Sequence, residues 1–167
     1  MIVPDCYASR MHRTLPLLAA LTFSLATAAQ TTQYAGIVKA VPQGQTLSLT
    51  LNYIDFFVLG DPAGDAQAMK LGGYKTKQEL YDANPAGWYA RDINPKLRTL
   101  KTDAKTVFEL VCLKLPGGVI KVNRDVFLAA YQGKNPIPDC NWDFAGGMVK
   151  MRLEGTRILR ITQQYLP

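Results

Sequence analysis

At 167 residues the chain is long enough for one domain and not comfortably for two. Nineteen Lys and Arg against thirteen Asp and Glu give a net charge of +6, with one histidine and three cysteines. The histidine, His12, falls in an N-terminal leader, so the mature chain lacks imidazole. That excludes Ser-His-Asp and Cys-His nucleophile arrangements and the usual zinc and copper sites.

The leader is legible as a pattern. From Met11, the basic pair His12-Arg13 precedes an apolar run, Leu15 to Leu25, and then the small triplet Ala26-Thr27-Ala28. This is the order of a secretory signal peptide, and the run is too short to span a bilayer of about 30 Å as a helix. The alternative is a buried N-terminal helix. Residues 1–10 add nothing to the leader and read as an over-extended start. The expected organisation is a signal peptide over 11–29 and one β-rich domain over 30–167, secreted or periplasmic, with no transmembrane segment in the mature chain. Net charge then falls to about +5, still basic for a small domain. Cys112 and Cys140 remain, and two cysteines in an exported chain are most simply a disulfide, two buried thiols being the alternative. Closing a loop of about 29 residues stabilises a fold by roughly 3.5 kcal/mol on chain-entropy grounds.

In the mature chain "QYAGIVKAV" reads as a strand and "PQGQ" as a turn. "TLSLTLNYIDFFVL" opens with Leu47, Leu49 and Leu51 alternating with Thr46, Ser48 and Thr50, a strand with one wet face. Alanines after Gly60, with Pro62 at the front and Gly72-Gly73 behind, predict a short helix. A second helical turn follows, where Thr76 and Glu79 have capping-box spacing and Pro85 ends it. "GWYARDI" fits a strand with Trp88, Ala90 and Asp92 on one face and Tyr89, Arg91 and Ile93 on the other; "KLRTLKT" fits a polar strand after Asn94-Pro95.

Lys105 to Leu115 predicts a strand that turns at "PGG" into "VIKV". "DVFLAAYQG" predicts a short helix capped by Asp125 and ended by Gly133. The long connection through Cys140 is one that a bridge to Cys112 would pin. The last segment predicts a hairpin turning at Glu154-Gly155, with Leu159 and Ile161 continuing its apolar face. The sum is six or seven strands with two or three short inserted helices: mainly β or α+β, a compact curved antiparallel sheet or a small OB- or SH3-like barrel.

No glycine-rich phosphate cradle of the Walker or dinucleotide type occurs, and no cofactor is implied. A two-carboxylate hydrolase could draw on Asp61, Asp65, Glu79, Asp82 and Asp92, but their spacing marks no acid and base. "GDPAGD" brings Asp61 and Asp65 close without the alternating oxygens of a calcium loop. The chemistry left is binding. One candidate surface is the aromatic and basic stretch Trp88, Tyr89, Arg91, Lys96 and Arg98; the alternative is a strand bounded by two turns. A second candidate is the basic face Lys150, Arg152 and Arg160. Meeting Lys96, Arg98 and Lys101 of the polar arm on one side of a curved sheet, with Trp88, Tyr89 or Tyr131 nearby, it would make a single-strand nucleic-acid groove, the alternative being a solvated basic face.

The run "WYARDINPKLRTL" followed by "DAK", the strand near "GIVKAV", the alanine-bearing segment after "VLG" and the tail "RILRITQQYLP" together resemble a loose, uncharacterised family of small secreted bacterial β-rich proteins. That resemblance implies a β-rich extracytoplasmic domain and supplies no catalytic residue or ligand. The expected function is therefore non-enzymatic: an exported domain binding an anionic envelope polymer or a protein. An OB-like single-stranded nucleic-acid binder is the alternative, against which the exported destination argues, and a small secreted hydrolase inhibitor is a further one.

Overall fold

The computed structural model describes residues 28–164 except 93–94, 113, 117, 139, 141–143 and 145–146. The start at Met11, nearly all of the leader, Asn94 and the end of the "QYLP" tail lie outside the described residues. Eleven elements follow one another: β1 (Gln30–Gln43), β2 (Thr46–Val58), α1 (Pro62–Gly72), α2 (Lys77–Ala83), β3 (Trp88–Arg91), β4 (Leu97–Lys101), β5 (Val107–Val111), β6 (Val119–Val122), α3 (Arg124–Tyr131), β7 (Met148–Glu154) and β8 (Arg157–Gln163). The chain is mainly β with three short helices, as its alternation and turn residues predict.

The strands form one sheet in the order β3-β2-β1-β7-β8-β5-β6, and β4 also pairs with β2. β3 and β4 follow one another along β2, opposite Asp55–Val58 and Ser48–Asn52. Two features depart from expectation. β5 runs parallel to β8, so the sheet is mixed, and it is not closed into an OB- or SH3-like barrel.

The side-chain period of two assigns the faces. On the inner face Leu47, Leu49 and Leu51 of β2 meet Ala35 and Ile37, Val149 and Met151, Ile158 and Ile161, Phe108 and Leu110 in one core. α3 covers that core with Phe127, whose ring lies 5.1 Å from Phe108. At the far end of the same face α1 and α2 bury Ala68 and Leu80 against Tyr89 and Phe57.

Local chemistry places these helices. Asp61 caps α1 by accepting from Gly64 N at 2.8 Å, with Pro62 in the first turn, and Gly73 ends it at φ 73°, a backbone only glycine adopts cheaply. Thr76 and Glu79 form the predicted capping box on α2. α3 is capped by Asn123 and not by Asp125, since Asn123 Oδ1 takes the Val126 N–H at 2.9 Å and leaves Asp125 in the first turn. In the last hairpin a register shift between Arg152 and Leu153 pairs Leu153 with Ile158, so Ile158, and not Leu159, joins the core. A bulge of this kind sets one residue outside the alternation.

The disulfide joins Cys112, just past β5, to Cys140, with Cα atoms 4.8 Å apart. No helix among the described residues is long and apolar enough to cross a membrane.

Candidate binding face

The even positions of β2 and their cross-strand partners make the outer face of the sheet, and no helix among the described residues packs on it. Register lines up Ile54 of β2, Tyr34 of β1, Lys150 of β7 and Thr162 of β8 as successive neighbours. One pair along, Thr32, Arg152 and Arg160 are neighbours in the same way.

Two patches therefore run together. The first is a row of rings: Trp88 lies 5.8 Å from Phe56, and Phe56 4.9 Å from Tyr34. Phe56 is sealed between its neighbours and only 6% exposed. The second is cationic. Lys150 stands over the Tyr34 ring, its Nζ 5.8 Å from the centroid, a cation–π distance. Beyond it Arg152 and Arg160 sit directly opposite one another on β7 and β8. Like charges so placed repel. Arg160 is relieved by Glu109 of β5, whose carboxylate lies 3.1 Å from its Nη1. The Arg152 side chain has no hydrogen bond or ion pair among the described residues. These cations, Glu109, Thr32 and Thr162 line a cleft of about 510 Å³.

Lys150, Arg152 and Arg160 thus share a face, as the alternation of the last hairpin predicts, and Trp88 lies on the same face at the end of the ring row. The stretch Trp88, Tyr89, Arg91, Lys96 and Arg98 does not form one surface. Tyr89 points to the opposite side and is 8% exposed, packed near Tyr74 and Phe57. Arg91 donates to the Leu71 carbonyl of α1. Arg98 lies over the Tyr53 ring, 4.4 Å from its centroid, and donates to the Lys96 carbonyl at 3.0 Å. Burial raises the Tyr53 phenol, with Arg98 opposing. Tyr131 is also remote: its hydroxyl donates to the Ile37 carbonyl and its ring packs on Phe144.

The five carboxylates considered for hydrolysis each have a local partner. Asp61 and Glu79 cap helices. Asp82 accepts from Gln78 at 2.8 Å and Asp92 from Asn52 at 2.6 Å. Asp65 is buried, accepting from Gly60 N, Tyr81 Oη and Lys77 Nζ at 2.9, 2.7 and 3.0 Å. Among the described residues no three His, Cys, Asp or Glu side chains gather closely enough to hold a metal ion.

Glu109, Tyr34 and Phe56 are site residues that the sequence reading passed over. Glu109 had a signal: it is the one charge inside the apolar strand "VFELV". The chain matches no family model, no curated protein and no solved structure. The resemblance carried by "WYARDINPKLRTL" therefore adds nothing to what the face itself displays.

Proposed function

We propose that this protein is an exported, non-enzymatic binding domain whose outer sheet face takes up an anionic component of the cell envelope. The observation that supports this best is the Arg152–Arg160 pair, opposed across two strands with one carboxylate between three cations. A fold under selection for stability alone has no reason to keep like charges facing each other, and local conflicts of that sort concentrate at functional sites. An anion on the face relieves the conflict. The leader pattern and the Cys112–Cys140 bridge fit an oxidising, extracytoplasmic destination. A nucleic-acid strand has less in its favour, because the central ring of the row, Phe56, is sealed and offers no face for stacking.

The test is retention on protease-treated envelope polymer as a function of salt. Lys150→Gln with Arg152→Gln should lower retention by about fivefold or more at low ionic strength, since screening leaves close charges strongest there. The melting temperature should change little, because relief of the like-charge contact offsets loss of the Lys150–Tyr34 cation–π contact. Unchanged retention in the double variant sinks the proposal.

A further inference from the structure

The cleft at the cationic end has a property that a plain basic patch lacks: its lining includes a buried acceptor. Glu109 is 5% exposed. One of its oxygens faces Arg160 Nη1 at 3.1 Å and the other accepts from the Thr162 hydroxyl at 2.8 Å. An ionised carboxylate has about four acceptor positions, so about two remain. Around it stand Arg152, without an anion, Lys150, steadied over the Tyr34 ring, and the Thr32 hydroxyl. The cleft, about 510 Å³ and half open to solvent, is large enough for a sugar-sized ligand.

We propose that this cleft reads a carboxylated sugar unit of an acidic polysaccharide, an inference that rests on the anionic-partner reading above. The ligand must satisfy both signs of charge. A carboxylate answers Arg152 and Lys150 through charge-assisted hydrogen bonds. Ring hydroxyls donate to the spare acceptors of Glu109 and accept from Arg160 and Thr32. A neutral sugar leaves Arg152 unpaired. A phosphate chain brings acceptors only, so its oxygens meet the Glu109 carboxylate with no proton to share, and one repulsive contact is enough to bias the choice.

The test is calorimetric titration of the protein, purified as its host produces it, with polygalacturonate, fully methyl-esterified polygalacturonate and polyphosphate at low salt. The acid form should bind at least about tenfold more tightly than the ester, the scale of one lost charged hydrogen bond, and more tightly than polyphosphate. Glu109→Gln should weaken polygalacturonate binding about tenfold while polyphosphate binding holds or strengthens. Equal binding of acid and ester overturns the proposal, and that comparison needs no variant to fold. Tighter polyphosphate binding, with Glu109→Gln raising affinity for every polyanion alike, also overturns it but leaves the anionic-face reading standing. No binding of any polyanion at low salt removes both.

Discussion

Asp65 shows how one side chain ties three elements together. It sits in the first turn of α1 with its side chain 1% exposed, bound to Gly60 after β2 and to Lys77 and Tyr81 of α2. A carboxylate survives there because every neighbour donates to it. The Gly60 N–H, then Tyr81 and Lys77, hold its pKa below the ordinary value, while Asp65 raises those of Lys77 and Tyr81. For a depressed carboxylate the stabilisation is complete above the unfolded pKa of about 3.9 and is lost as pH falls through the lower folded value. The raised Lys77 and Tyr81 act in the opposite sense, contributing below their unfolded values near pH 10 and losing that contribution as pH rises through the folded ones. Asp65→Asn should therefore melt lower at pH 7 and show a shallower acid limb, with the two curves converging at the acid end. Melting curves from pH 7 down to about pH 2 check this; parallel limbs would place the acid sensitivity elsewhere.

At the scale of elements, what could be read ahead was what neighbouring residues decide. The Thr76–Glu79 box, the Asp61-Pro62 start and the Gly73 stop of α1 are short-range chemistry, and each formed where its residues stood. Choices that depend on distant partners were not legible. Asn123 and Asp125 both suit a cap, and packing of Phe127 on Phe108 selects the earlier start. The bulge beside Arg152 follows from pairing, and no residue in "MRLEGTRIL" announces it. For the site, alternation found Lys150, Arg152 and Arg160, but only the β5–β8 pairing brings Glu109 among them. The Cys112–Cys140 link belongs to this scale too, since it ties the long connection after α3 to the end of β5. Replacing both cysteines with alanine should cost about 3 kcal/mol, lowering the melting temperature by roughly 10 °C for a domain of this size. A loss under about 1 kcal/mol would mean that packing around Cys112 alone holds the connection.

The whole molecule is shaped by a short connection across a long way round. In the ladder β4 and β5 are separated by five strand steps, about 24 Å if the sheet lay flat. The chain between them, residues 102–106, reaches at most about 20 Å when extended, and it turns, with Thr106 N bonded to the Asp103 carbonyl at 3.2 Å. The sheet must therefore curl. Thr102 anchors the strap to β2 by exchanging bonds with Leu47, and the far side is clasped by side chains, Thr106 donating to the Ile158 carbonyl of β8 at 2.9 Å and Arg157 meeting Asp103 at 2.8 Å. An open, side-chain-clasped seam in place of a hydrogen-bonded barrel is what strand patterns alone cannot distinguish. Thr102 and Thr106 are buried at 3% and 8% exposure, so each change to valine should leave a backbone group unpaired and cost about 1–3 kcal/mol. Because both hold the same five-residue strap, losing one frees much of what the other retains. The double variant should then cost less than the two singles together by about 0.5 kcal/mol or more, and amide exchange should quicken in β4 and β8 before the β1–β7 centre. Strict additivity, with exchange rising evenly through the sheet, would mean that the curl is set by packing of the inner core and that the strap merely follows it.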